Sequence, residues 1–164
     1  HSGTLRLNKQ PLVLLDLVSD VVADTKALAA QRGITIRQAG MNGHMLPADP
    51  HELSRVIANL LTNSIRHAPE NSEIVVSADR IDGDRLVVSV LDQGPGVHTH
   101  DLGNMFDMGW RGSAARTSTD NGSGAGLGLA IVRGIVEAHG GAVSASHGPG
   151  GFRLDITLPA GTGT

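Results

Sequence analysis

Asp92-Gln93-Gly94-Pro95-Gly96 and Gly122-Ser123-Gly124-Ala125-Gly126-Leu127-Gly128-Leu129 are the stretches that decide the fold. Glycines at this density let backbone N–H groups approach a phosphate chain closely. The second stretch runs directly into Ala130-Ile131-Val132, an apolar helix-like run. It reads as a loop at a helix N-terminus, where orphan N–H groups and the helix dipole favour anions. It is not a Walker loop, because no Gly-Lys occurs in the chain. Nor is it a dinucleotide fingerprint, since G-x-G-x-G-x-G after a polar loop fails in both spacing and context. A helix-capping loop that binds nothing is the plain alternative.

Asp92 ends the apolar run Leu86-Val87-Val88-Ser89-Val90-Leu91. A carboxylate there accepts a hydrogen bond from an exocyclic amine, which adenine has and guanine lacks at the equivalent place. The alternative is an ordinary turn, since Asp, Gly and Pro all form turns. Further upstream, a helix start is well marked: Asp49 caps, Pro50 suits the first helical position, and Glu52 completes a capping box. That helix is expected to run to His67 and stop before Pro69. At about 100° per residue, Leu53, Ile57, Leu60 and Ser64 share one face. Asn59, Asn63 and Arg66 share an adjacent stripe. Two amide oxygens one turn apart suit a hard cation such as Mg²⁺, and Arg66 suits a phosphate. Polar residues bordering a core would look the same. Two mid-helix asparagines cost a few tenths of a kcal/mol each, which favours a purpose.

The remaining elements follow from pattern. Thr4–Asn8 alternates and suggests a short strand. Leu12 to Arg32 has helical spacing and ends at Gly33; Ile34–Ile36 is a strand. Residues 74–78 and 85–91 are strands joined through Asp82-Gly83-Asp84. Val97 to Ser123 shows no sustained periodicity, and a loop of that length inside a domain is commonly a functional lid. A helix over 126–138 and strands over 143–147 and 152–158 close the chain. His139 reads as a cation at a helix C-terminus.

The 164 residues suffice for one domain with a real core. Apolar residues at 40% and charged residues at 18% exclude a disordered chain. A net charge of −3 gives no reason to expect nucleic-acid or membrane binding, and the absence of cysteine excludes thiol chemistry. The chain opens on His1 rather than Met and is expected to be a piece of a longer protein.

Taken together, Asn59-Leu60-Leu61-Thr62-Asn63-Ser64, Asp92-x-Gly94-x-Gly96, Met105-Phe106 and Gly124-x-Gly126-Leu127-Gly128-Leu129 resemble the catalytic ATP-binding domain of sensor histidine kinases. These are that family's N, G1, F and G2 boxes, within the gyrase, Hsp90, histidine kinase and MutL superfamily. The run Trp110–Thr117 and the ending His139-Gly140-Gly141…Gly150-Gly151-Phe152…Leu158-Pro159 also look like this family. The resemblance implies a two-layer α/β sandwich of the Bergerat type: a mixed sheet covered on one face by three helices. It implies that Asn63 ligates Mg²⁺, Asn59 supports the phosphate–metal cluster and Arg66 contacts phosphate. By the same resemblance Asp92 would bind the adenine amine, and Gly94 and Gly96 would shape the adenine pocket. Gly124, Gly126, Leu127 and Gly128 would line the triphosphate. Residues 98–123 would form the ATP lid, anchored by Phe106, with Arg111 and Arg116 as phosphate or inter-domain contacts. The sequence departs from the family at His67, where an aromatic is common, and at Met108-Gly109-Trp110.

Hydrolysing members of the superfamily carry a Glu as general base one turn before the metal-binding Asn. Here Asn59 holds that place, and an amide cannot take the proton. The expected function is therefore donation of the γ-phosphoryl group of Mg²⁺-ATP to a histidine on a separate domain of a two-component sensor kinase. A catalytically silent nucleotide-binding module and a hydrolysing ATPase are the alternatives. His51-Glu52-Leu53 resembles the start of a phosphoacceptor motif but lacks its basic-Thr-Pro continuation. The expected partners are the parent's dimerisation and phosphoacceptor domain, absent from residues 1–164, and through it a response regulator. The chain itself is expected to be monomeric, on the cytoplasmic side of a membrane-anchored parent.

Overall fold

The computed structural model describes residues 5–107 and 125–161. Its elements are β1 (Gln10–Val13), α1 (Leu14–Ala30), β2 (Thr35–Ala39), β3 (Met45–Ala48), α2 (Pro50–His67), β4 (Glu73–Asp82), β5 (Arg85–Asp92), α3 (Ala125–Ala138), β6 (Ala142–Gly148) and β7 (Gly151–Pro159). A 3-10 segment, Thr99–Asn104, follows β5. Five strands form one sheet in the order β2-β4-β5-β7-β6, and β1 pairs with β3. The β2–β4 pair is parallel and the other ladders are antiparallel, so the sheet is mixed as expected.

Period-2 alternation sets which face is buried. Val76 pairs with Val90, Val90 with Leu154, and Leu154 with Ala145. One residue pair along, Ala78, Val88, Ile156 and Val143 form the next row. These rows belong to the core, whereas Arg153 and Asp155 pair with each other across the opposite face. The three helices pack on the buried face: α1 beside β2, α2 over β5, and α3 against β6 and β7. Leu53, Val56, Ile57, Leu60 and Leu61 of α2 are fully buried. At about 1.5–3 kcal/mol for each such side chain, this face holds α2 more firmly than helix propensity does.

α2 occupies the span read from sequence. The Asp49 carboxylate accepts the Glu52 N–H at 3.1 Å, and Pro50 takes the first turn. Ala68 turns out to an extended conformation before Pro69. Three other expectations need correction. The first strand lies at Gln10–Val13 rather than 4–8, because its partner is Met45–Ala48, a strand not foreseen. The segment after Val97 begins with a 3-10 turn rather than an open loop. His139 does follow the C-terminus of α3 as expected, but it is buried and bonded through both ring nitrogens rather than placed as a cation: Nε2 accepts the Asp49 N–H at 3.1 Å, so Nδ1 donates to the Ile135 carbonyl at 2.9 Å. Among the described residues, no helix is long and apolar enough to cross a membrane.

Candidate functional site

The sheet brings Asp92 to the end of β5, below the last turns of α2. Asp92 is only 2% exposed. Its Oδ1 accepts the Gly94 N–H at 2.7 Å. Burial pushes its carboxyl above the ordinary value of 3.8, opposed by the Gly94 N–H and by the Ser64 hydroxyl. Ser64 is fully buried on α2, and its hydroxyl closes no hydrogen bond of good geometry with any described protein atom. A carboxylate and a hydroxyl thus share one buried pocket with hydrogen-bonding capacity left over.

The two glycines after Asp92 are required by space. A Cβ on Gly94 would sit 2.9 Å from Asp92 Oδ1 and 2.9 Å from the His67 carbonyl oxygen. Gly96 has a φ of +69°, and a Cβ there would enter the Phe152 ring. The main chain therefore runs flush against the α2 terminus on one side and β7 on the other.

Asn59 and Asn63 lie half-buried on α2, one turn apart, beside its apolar face. Arg66 and His67 are exposed in the last turn. α3 packs along α2, and a Cβ on Gly128 would lie 3.9 Å from the Asn59 amide carbon. Gly126, Leu127 and Gly128 fall in the first turn of α3, where N–H groups have no intrahelical acceptor. Asn59, the start of α3 and the Asp92 pocket are thereby gathered around α2. Met105 and Phe106 are buried in the core and tie the segment after Val97 to it. A groove lined by Leu102, Phe106, Arg133, Glu137 and Val143 lies elsewhere and shares only Phe106 with the set selected from sequence. Arg111, Arg116, Gly124 and Trp110 lie outside the described residues.

Two contributors were not singled out from sequence. Ser64 was read as one more position on the apolar face; a hydroxyl there was the available signal. Arg32 was read as a helix end, yet its Nη1 donates to the carbonyls of Ile65 at 2.6 Å and Ala68 at 2.6 Å. No sequence pattern announces bonds to backbone carbonyls that distant.

Among the described residues there is no group of three His, Cys, Asp or Glu side chains able to hold a metal. A cation here would draw on the amide oxygens of Asn59 and Asn63 and on oxygens of a bound phosphate. That donor set fits Mg²⁺, which takes few protein ligands alongside substrate phosphates.

Residues 48–162 match the family described as histidine kinase-, DNA gyrase B-, and HSP90-like ATPase. The chain is 37% identical over 154 residues to the sensor histidine kinase CusS of Escherichia coli, covering 93% of this chain and 31% of that protein. It is 36% identical over 143 residues to the sensor histidine kinase component HK1 of Mycobacterium tuberculosis, covering 87% of this chain and 81% of that protein. Among solved structures, full-length ShkA in complex with AMPPNP superposes with a TM-score of 0.81 at 29% identity, over 96% of this chain and 32% of that one. The chain therefore spans about a third of the length of CusS.

Proposed function

The chain belongs to the histidine kinase-, DNA gyrase B-, and HSP90-like ATPase family, as the ATPase domain of a sensor histidine kinase, and on that premise we propose that it binds Mg²⁺-ATP and presents the γ-phosphoryl group to a histidine on another domain. The observation that carries this reading is the Asp92 pocket. One carboxylate oxygen is held by the Gly94 N–H, and the carboxylate, with the buried Ser64 hydroxyl beside it, retains capacity for a donor such as the adenine amine. Guanine would set an oxygen against the carboxylate, so the pocket selects adenine.

The other residues follow the nucleotide outward. Gly94 and Gly96 let the main chain close on the base. Asn63 ligates Mg²⁺ and Asn59 supports it, while Arg66 contacts phosphate. Mg²⁺ neutralises phosphate charge when bound. The first-turn N–H groups of α3 would meet the same charge, and Gly124, Arg111 and Arg116, which lie outside the described residues, are assigned to phosphate or inter-domain contacts by the family resemblance alone. Asn59 cannot serve as general base, so water is poorly activated and the phosphoryl group is kept for a stronger nucleophile. That nucleophile is not His51, which stands twelve residues before Asn63 on one helix, about 18 Å along its axis.

The phosphoacceptor is therefore the dimerisation domain of the parent kinase, which passes the phosphoryl group to a response regulator. The net charge of −3 disfavours nucleic acid as a partner. The domain works as a monomer on the cytoplasmic side of a membrane-anchored parent. Calorimetric titration with Mg²⁺-ATP tests the pocket. Asp92→Ala is expected to abolish binding, whereas Asn63→Ala is expected to remove only the gain that Mg²⁺ brings over metal-free ADP. Unchanged affinity in Asp92→Ala would overturn the assignment.

A further inference from the structure

We propose that Arg32, at the α1–β2 turn and remote in sequence from every nucleotide-binding residue, is a positioning residue for the adenine end of the site. The inference rests on reading Asp92 and Gly94 as that end. Arg32 Nη1 lies 2.6 Å from the Ile65 carbonyl, 2.6 Å from the Ala68 carbonyl and 3.4 Å from the Arg66 carbonyl. The Ile65 and Arg66 carbonyls lie in the last turn of α2, where they lack intrahelical donors and carry the negative end of the helix dipole, and the Ala68 carbonyl follows just beyond the helix end. A half-buried guanidinium set among them satisfies several at once.

Backbone contacts hold the same junction from the other side. The Asn71 N–H donates to the Arg32 carbonyl at 2.9 Å, and the Thr35 N–H donates to the Ser72 carbonyl at 3.1 Å. Asn71 adopts a φ of +61°, and its side chain lies so close to Gly33 that a Cβ there would collide with it. The α1–β2 turn and the turn after α2 therefore form one knitted unit, with Arg32 reaching into α2 itself.

What this unit fixes is the surface under Gly94. The His67 carbonyl oxygen, 2.9 Å from where a Cβ would sit, is the atom besides Asp92 Oδ1 that leaves no room for a side chain on Gly94, with the Ala68 Cα in ordinary contact at 3.6 Å. Gly94 in turn donates the hydrogen bond that orients the Asp92 carboxylate. Arg32 thus acts through a short series of contacts: its guanidinium sets residues 65–68, these set Gly94, and Gly94 aims Asp92. Without Arg32 the last turn of α2 can fray, and the carboxylate loses its fixed direction while the core face of α2 stays buried.

Because the effect is confined to the base, it is independent of metal and of the number of phosphates. The test is calorimetric titration of the chain with Mg²⁺-ATP and, separately, with ADP in EDTA, below the melting temperature of each variant. Arg32→Met keeps the aliphatic stem and removes every donor. It is expected to weaken both ligands by the same factor, on the order of tenfold. Arg32→Lys restores a cation within reach of the carbonyls and is expected to recover most of the loss. Arg37→Met, which removes only an exposed pair with Glu73, is expected to bind as the wild type does. If Arg32→Met lowers the melting temperature yet binds both ligands normally, the proposal is overturned and Arg32 serves stability alone. A loss seen with Mg²⁺-ATP but not with ADP also overturns it. Should Arg32→Met not fold, Arg32→Gln is read in its place by the same criteria. Asp92→Ala run alongside separates the two claims: if it binds normally, the adenine pocket itself is misplaced and this inference falls with it.

Discussion

Asp92 pits stability against binding in a single carboxyl. Burial raises its pKa, against the Gly94 N–H and the Ser64 hydroxyl. A carboxyl whose folded pKa lies above its unfolded value binds protons more readily in the folded chain, so it subtracts stability as pH rises through that interval. Asp92→Asn removes the charge and keeps an oxygen for the Gly94 N–H. Its melting temperature is expected to equal or exceed that of the wild type at pH 7, with the difference closing at acid pH. The same substitution is expected to lower ATP affinity at least about tenfold, because the amide NH₂ then faces the adenine amine, donor against donor. In the wild type, nucleotide affinity is expected to fall on acidification as Asp92 takes up its proton, at a pH shifted upward from the ordinary 3.8 by burial. Melting curves and titrations across pH check all three statements, and a destabilised Asp92→Asn at pH 7 would contradict the first.

At the scale of elements, the N-terminus of α2 is fixed by a cluster around Asp49. Its carboxylate accepts the Asn8 N–H at 2.8 Å and the Glu52 N–H at 3.1 Å, and His139 accepts the Asp49 N–H. The Asn8 bond, foremost, holds its pKa below 3.8, with Glu52 and His51 N–H groups adding to it. A depressed carboxylate pKa contributes stability above the unfolded value and loses it as pH falls through the folded one. Asp49→Ala is expected to cost about 1–2 kcal/mol at pH 7. That corresponds to roughly 2–4 °C of melting temperature per kcal/mol. The deficit is expected to shrink below pH 4, and a deficit of equal size there would count against the ionic origin. This same cluster shows what made elements legible. Asp49, Pro50 and Pro69 are local signals, and α2 lies where they place it. The β1–β3 pair was illegible because each strand has four residues and each contains a proline, Pro11 facing Pro47. Such strands exist only by pairing with each other, and pairing leaves no local trace. The same holds within the site. Asn59, Asn63 and Asp92 stand out as residue types out of place. Ser64 and Arg32 act through partners 28 to 36 positions away, which only the folded chain reveals.

At the scale of the whole molecule, three separated stretches converge because α2 packs on both β5 and α3. The sheet supplies Asp92, α2 supplies the asparagines, and α3 supplies glycines at its first turn. On the proposed reading the site suits holding a nucleotide better than hydrolysing it, because Asn59 offers no base and the exposed His51 lies at the far end of α2. That reading requires an acceptor from outside residues 1–164. The most direct measurement is transfer of label from γ-³²P-ATP, with Mg²⁺, when the chain is mixed with the dimerisation and phosphoacceptor domain of its own parent kinase. The account predicts acid-labile, base-stable label on the added domain, none on this chain, and loss of transfer in Asn63→Ala. Steady release of inorganic phosphate without label on the added domain would contradict it, as would binding of ATP with no transfer at all.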